Sequence, residues 1–479
     1  MNPNSDPTHG QIENWEDLVV GNHTPVPLLD GTTGAFINLD SASTAPALSA
    51  VVSAVSRLMP NYGSVGRGGG WKSELCTTTY ERSRTVVARF VGGDRPGRVA
   101  IFVKQTTDAI NLVASQIPLS RDDVVACTVA EHHANLLPWR RAAERAGATL
   151  VTAGVDRETG AIRVDDLVQC LTEYGKRVKL VAITGASNVT GHIPAVHEIA
   201  RFVHSKGALL LVDGAQLVPH RAVDVGAVDD PACIDFLAFS GHKMYAPYGA
   251  GLLLAPRRCI ERYRPHQVGG AAVSWVTRNA VSWRGLPHLQ EAGSPNLVGV
   301  VAMAAAVERL TSLGMDRVHQ HEKEITEYAL EKLKSISKLR LYGSWETDSA
   351  DRLGVLTFNI TGVHYHLVSA ILAYEYGIAT RSGAFCSHPY VSELVSSQQG
   401  GDAAGTQPGA VRASIGLFNT KDDIDALVAG LKAISAGDYS HDYVFDDQAC
   451  SYRPTSWDYV LSCTVPAEWI PNRADCQLK

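Results

Sequence analysis

The 479-residue chain is short of several things that would have pointed elsewhere. No apolar run approaches the ~18–20 residues a membrane span needs, so a bilayer is not an expected partner. There is no excess of basic charge. The formal net charge is −6, which argues against nucleic acid or an anionic membrane surface. Cysteine is sparse and unpatterned: nine residues with no CxxC pair, an odd count that suits reduced cytoplasmic thiols better than a disulfide framework or a zinc site. Met1 to Asp30 is polar with acids and lacks the apolar centre of a secretory signal. Internal repeats and low-complexity tracts are also missing. What remains is an ordinary globular balance, 45% hydrophobic and 19% charged, long enough for two or three structural units.

The pattern divides the chain. Residues 1–35 mix Pro, Asn, Gly and Asp and read as an N-terminal arm. From 36 to 300, short β-branched runs alternate with amphipathic stretches. Val99–Val103, Val124–Thr128, Leu180–Thr184 and Ala208–Val212 read as buried strands, with helices over Tyr80–Val91, Asn135–Ala146 and Val196–Lys206. Such alternation predicts an α/β unit with a mostly parallel sheet covered on both faces, whose ligands bind at the strand C-terminal ends. Residues 301–436 read as a smaller α+β domain, with helices over Val300–Leu313, Val318–Leu339 and Tyr365–Tyr376 and a strand at Val355–Ile360. Ser396–Gly409 reads as a mobile loop, and Thr420 with Asp423 as a capping box. Residues 437–479 fit neither unit and form a C-terminal extension.

The strand ends carry the chemistry. Lys243 stands in Phe239-Ser240-Gly241-His242-Lys243-Met244-Tyr245, between two apolar strands, a poor place for a surface lysine. The preceding strand ends in Asp213. A lysine to hold an aldehyde and an acid to keep a pyridine nitrogen protonated are the requirements of pyridoxal phosphate. Thr106 and Thr107 follow a strand and open a helix, where backbone N–H groups bind phosphate; Ser240 and His242 could complete that cup. His132, in Glu131-His132-His133-Ala134-Asn135, could lie over the pyridine ring and shuttle protons. Asn188 and Gln216 could hydrogen-bond the ring's O3′. Taken singly, each could be a plain cap or turn residue.

Together these stretches resemble the class V aminotransferase family of fold-type I pyridoxal phosphate enzymes, and within it the cysteine desulfurase and selenocysteine lyase branch. The resemblance rests on Asn38–Ala42, Thr106–Asn111, Glu131–Asn135, Asn188–Gly191, Asp213–Gln216, Ser240–Lys243, Glu291–Asn296, Arg381–Cys386 and Arg412–Ile415, in family order. It implies a large domain with a mostly parallel seven-stranded sheet and a smaller C-terminal domain. It also implies Lys243 as the Schiff-base lysine, Asp213 on the pyridine nitrogen, His132 on the ring, and Thr106, Thr107, Ser240 and His242 on the phosphate. Ser294 falls where the family places a threonine that reaches the neighbouring subunit's phosphate, which implies a homodimer with shared active sites. The resemblance further implies that Arg412 grips the substrate carboxylate, with Asn188 and Arg67 also on the substrate side. Cys386 stands where desulfurases carry the cysteine that takes up sulfur.

Three departures stand out. Ala384 and Phe385 replace the polar residues usual before that cysteine, Gly66 replaces the usual histidine before Arg67, and the spacer between Cys386 and Arg412 is long. The expected reaction is cleavage of the C–S bond of L-cysteine or an S-substituted cysteine, by β-elimination or by sulfur transfer to Cys386. The alternatives are a decarboxylating deaminase of an S-substituted cysteine, such as an S-glycosyl cysteine of sulfur-containing antibiotic biosynthesis, and a non-catalytic family member.

Overall fold

The computed structural model describes residues 14–22, 24–66, 68–261, 265–344, 351–396, 407–440 and 442–457. At its centre is a seven-stranded sheet. Its strands are β1 (Arg98–Val103), β2 (Val124–Thr128), β3 (Thr149–Ala153), β4 (Val178–Thr184), β5 (Leu209–Asp213), β6 (Phe236–Ser240) and β7 (Gly251–Pro256). Their spatial order is β1-β7-β6-β5-β4-β2-β3. Only β7 is reversed: it pairs antiparallel with β1 and β6, while the other pairings are parallel. The mostly parallel sheet expected from the strand and helix alternation is therefore present.

These strands read as continuous apolar runs because both faces are covered. Ile101, Val125, Leu180, Leu211 and Phe236 pack on one side against Ile110 and Val113 of α3 (Thr106–Gln116) and Trp139 of α4 (His133–Ala146). The alternate residues Phe102, Ala126, Val181, Val212 and Phe239 pack on the other side. There they meet Val87 of α2 (Trp71–Phe90), Val203 of α6 (Val196–Ser205) and Met303 of α7 (Leu297–Leu313). Two further helices before the C-terminal unit are α1 (Ser49–Leu58) and α5 (Val164–Tyr174), besides the single turn Arg257–Ile260. Among the described residues no single helix is long and apolar enough to cross a membrane.

A second core surrounds an antiparallel four-stranded sheet of β8 (Leu339–Tyr342), β9 (Val355–Ile360), β10 (Arg381–Gly383) and β11 (Ala410–Ser414), ordered β8-β9-β11-β10. Leu356, Phe358 and Val411 pack there with Ile325 of α8 (Met315–Leu333), Val368 and Ile371 of α9 (Tyr365–Tyr376), and Leu427 of α11 (Lys421–Ala436); α10 (His388–Ser396) follows β10 in the chain. The helix read as Val318–Leu339 stops earlier, at Leu333, and the chain turns through Lys338, in the left-handed region at φ 65°, into β8. Thr420 and Asp423 form the capping box, each side chain bonded to the other's backbone N–H. Leu39 is also fully buried in this second core, and Ile37–Asn38 pairs in parallel with Ile378–Ala379. That docking carries the next residue, Asp40, to the junction of the two cores. Most of the Ser396–Gly409 loop lies outside the described residues.

Candidate active site

The C-terminal ends of β2, β4, β5 and β6 open into a cavity of about 670 Å³. Thr106, Thr107, His132, Asn188, Asp213, Gln216, Ser240, His242, Lys243, Cys386 and Arg412 all line it. Ser294 does not; it lies in an adjoining hollow that shares Lys104 and Gly249 with the main cavity. Arg67 is outside the described residues.

Asp213 ends β5 and is buried; one carboxylate oxygen accepts the Ala215 N–H at 3.0 Å. Burial raises its pKa, while the Ala215 N–H and Lys243 oppose the shift. Lys243 follows β6 in a single tight turn, Gly241–Lys243. The turn brings the backbone close to β7: a Cβ on Gly241 would stand 3.0 Å from the Ala250 carbonyl oxygen. Burial pulls the Lys243 ammonium down to about 8. Asp213 works against this and the Arg412 charge adds to it. About a tenth of the amine is therefore free of its proton at pH 7 and about half near pH 8, and the free amine is the form that imine formation requires.

His132 caps α4. Its Nδ1 accepts the Ala134 N–H at 3.0 Å, so the neutral ring carries its proton on Nε2. Burial, reinforced by Lys243, holds its pKa down to about 3. Beneath it Glu131 is fully buried and accepts from the Thr128 hydroxyl (2.6 Å), the Asn135 amide (2.6 Å) and the Thr184 N–H (3.0 Å). Burial pushes its pKa up to about 8 despite these donors. Asn135 in turn accepts from the indole of Trp139, so the histidine's support is fixed into the core.

At the other end of the cavity α3 begins at Thr106. Its N–H and hydroxyl both lie against the Ser240 hydroxyl, at 2.8 and 2.7 Å. His242, pulled down to about 4 by burial and Lys243, reaches the Thr44 hydroxyl. Hydroxyls gathered at a helix start form an anion cradle.

The remaining wall of the cavity is built by segments distant in sequence. Arg412 is 3% exposed. Its Nη1 donates to the Asn188 carbonyl at 3.0 Å, and its Nη2 donates to Asp40 at 3.2 Å and to Ser43 at 2.7 Å. Its Nε is buried with no hydrogen-bond partner among the described residues. Asp40 also pairs with Arg381 at 3.0 Å, so one carboxylate sits between two guanidiniums. The Phe385 ring lies over the Arg412 guanidinium, 5.0 Å from centroid to Cζ. Phe385 and Cys386 both adopt left-handed backbone, φ 53° and 55°, a conformation that non-glycine residues hold only when clamped. The clamps are visible. Asn188 Nδ2 donates to the Phe385 carbonyl (2.9 Å), the Ser387 hydroxyl donates to Asn188 Oδ1 (3.2 Å), and the His133 N–H donates to the Cys386 carbonyl (2.7 Å). Both ends of the Asn188 amide are thus engaged by the cysteine loop, a contact that nothing local in the chain announces. Gln216 donates to the Ala42 carbonyl at 2.8 Å.

Sequence reasoning assigned no role to Asp40, Ser43 or Arg381. The only available signal was that Asp40 lay within the Asn38–Ala42 stretch and that Arg381 opened Arg381–Cys386.

The donor chemistry fits pyridoxal phosphate. An anion cradle lies at one end, a buried acid suits a protonated ring nitrogen, and a partly deprotonated lysine amine suits the aldehyde. A lysine and an acid at the strand ends of this sheet, with that cradle, define an enzyme of the fold-type I pyridoxal phosphate class.

Comparisons with known proteins agree. Residues 37–427 match the family described as Aminotransferase class-V. The chain is 37% identical over 412 residues to a probable cysteine desulfurase of Halalkalibacterium halodurans, covering 85% of this chain and 95% of that one. It is 35% identical over 398 residues to a cysteine desulfurase of Cronobacter sakazakii, covering 82% and 92%. Among solved structures it resembles the cysteine desulfurase CsdA of Escherichia coli, with TM-score 0.72 and 32% identity over 85% of this chain and 96% of that one. It also resembles a cysteine desulfurase of Thermococcus onnurineus NA1, with TM-score 0.74 and 30% identity over 84% and 95%. The chain belongs to the class-V aminotransferase family, and it is a pyridoxal-phosphate-dependent enzyme.

Proposed function

We propose that the protein is a cysteine desulfurase: it takes L-cysteine, leaves alanine, and receives the sulfur on Cys386. The observation that carries this reading is that Cys386, Lys243 and Arg412 line one cavity in a chain whose relatives are named cysteine desulfurases. Pyridoxal phosphate, when bound, supplies an aldehyde for the amino group and an electron sink that acidifies the Cα proton.

The chain's own residues do the rest. Thr106, Thr107, Ser240 and His242 would hold the phosphate, Asp213 would keep the proton on the ring nitrogen, and neutral His132, with Gln216 and Asn188, would contact the ring. Arg412 takes the substrate carboxylate through its unpartnered Nε and its outer edge, which fixes how Cα presents its bonds. Arg67 belongs to the same substrate side. Lys243 takes the Cα proton and returns a proton to carbon. The Cys386 thiolate attacks the substrate sulfur. A new S–S bond forms, the C–S bond breaks, and carbon keeps that bonding pair and is protonated to give alanine. Cys386 is left as a persulfide.

The working form we propose is a homodimer in the cytoplasm. Ser294 lies outside its own chain's cavity, which suits a hydroxyl that serves the neighbouring subunit. The nearby ribbon Val273–Val276 with Val281–Trp283 exposes Trp275, Val276, Val281 and Trp283, an apolar face of the kind that subunits cover. The cysteines described are free thiols, as expected in a reducing compartment. Nothing in the relatives favours a decarboxylating or non-catalytic role.

The test is to incubate the holoenzyme with L-cysteine and analyse the Cys386 peptide by mass spectrometry. A persulfide on Cys386, formed together with alanine, is expected. Pyruvate with an unmodified Cys386 would instead mark β-elimination.

A further inference from the structure

The family match ends at residue 427, yet part of the chain beyond it is folded. Tyr443–Asp446 and Ser451–Pro454 form an antiparallel ribbon alongside α9. One end is tied by Glu375 of α9, which accepts the Tyr443 hydroxyl at 2.8 Å and the Ser440 N–H at 3.1 Å. The other end meets the start of α9 through rings. Phe445 and Tyr452 lie 5.1 Å apart, His364 is 5.8 Å from Tyr452, and His366 is 6.0 Å from Phe445.

His366 also reaches the opposite way, its Nδ1 2.7 Å from the Ser382 hydroxyl. Ser382 lies in β10 and pairs with Val411, the neighbour of Arg412 in β11. The same short strand runs directly into Ala384, Phe385 and Cys386. β10 is an edge strand of three residues, so its ladder alone holds it weakly. The loop beyond it carries two consecutive left-handed residues and keeps that shape only if both ends are fixed. Asn188 and His133 fix the far end. The near end is held by His366 on Ser382, by Ser369 on Thr380 at 2.9 Å, and by Arg381 on Asp40 and Ser43 at 3.0 and 2.9 Å.

We infer that His366 is a positioning residue for the Cys386 loop, and that the C-terminal ribbon, through Phe445, holds His366 in place to do it. Burial and the neighbouring His364 keep the imidazole's pKa down to about 4, so the contact to Ser382 is a neutral hydrogen bond throughout the physiological range. The extension therefore acts on the site from behind, through α9 and β10. The effect on turnover rests on the proposed role of Cys386; the effect on the loop does not.

The experiment uses the full-length holoenzyme and three variants: Phe445→Ala, His366→Ala and His366→Asn. Phe445 is 38% exposed, so its removal is expected to leave the fold intact, with the urea midpoint as the check. The rate of iodoacetamide alkylation at Cys386 is read by peptide mass spectrometry, with glutathione in the same mixture as the reference thiol, beside kcat and KM for L-cysteine. Phe445→Ala and His366→Ala are expected to change Cys386 alkylation by roughly three- to tenfold, the range of one neutral hydrogen bond, and to lower kcat with KM little changed. His366→Asn, whose amide can still meet Ser382, is expected to restore most of both. Unchanged Cys386 alkylation in Phe445→Ala and His366→Ala would overturn the inference, as would equal impairment of His366→Ala and His366→Asn. Altered alkylation with unaltered turnover would leave the positioning role standing and count instead against Cys386 as the sulfur acceptor.

Discussion

At the scale of single residues the site works by withholding water. Lys243, His132, His242 and Arg412 all have their charged forms disfavoured by burial, and Asp213 and Glu131 likewise. For Lys243 the consequence is measurable. The lysine loses its proton as pH rises through about 8, and only the free amine captures an aldehyde. Reconstitution of apoenzyme with pyridoxal phosphate, followed by visible absorbance, should therefore accelerate with pH and level off above about 8. A rate independent of pH between 6 and 9 would contradict the assignment. Arg412 offers a second check. Lysine there keeps the charge but loses the planar fork that meets Asp40, Ser43 and a carboxylate together. Arg412→Lys should raise KM for cysteine about tenfold or more, the scale of one charge-assisted hydrogen bond, while cofactor absorbance persists. The residues legible in the sequence were those with unusual chemistry at a strand end. Asp40 was not, because its partner Arg412 is 372 positions away and nothing local announces the contact.

At the scale of elements, strand ends deliver the groups and loops between the cores lock them. Gly191 illustrates the second point. It ends the Asn188–Gly191 stretch at φ 74°, and its backbone bonds to Leu353, whose N–H donates to the Gly191 carbonyl at 2.9 Å. A Cβ there would stand 2.5 Å from the Leu353 carbonyl oxygen. Gly191→Ala must therefore separate two backbones that hold Asn188 beside the cysteine loop. We expect it to destabilise the protein by about 2 kcal/mol or more in urea melts and to lower kcat as well. Thr420→Ala serves as the contrast: it removes a cap of α11 that does not line the cavity and should cost about 1 kcal/mol with activity unchanged. Much at this scale was readable from periodicity, including the parallel strands and the capping box. The overrun from Leu333 to Leu339 was not, since Leu339 and Leu341 continue an apolar pattern that suits helix or strand until β9 pairs with it.

At the scale of the whole molecule, two surfaces matter: the exposed ribbon around Trp275, and the C-terminal ribbon on α9. If the first is a subunit contact, Trp275→Glu should shift sedimentation from dimer toward monomer and weaken cofactor retention, because Ser294 would then lose its place on the neighbouring site. A variant that stays dimeric and fully loaded would count against this arrangement. The C-terminal ribbon was not foreseen, since its strands are four residues each and acquire meaning only against α9. All these surfaces serve the proposed sulfur transfer to Cys386. Its most direct test is sulfur release from L-cysteine by Cys386→Ala, measured with bound-cofactor absorbance as the loading control. Loss of release to background, with absorbance intact, is the expected result; release at the parent rate would contradict sulfur transfer to Cys386.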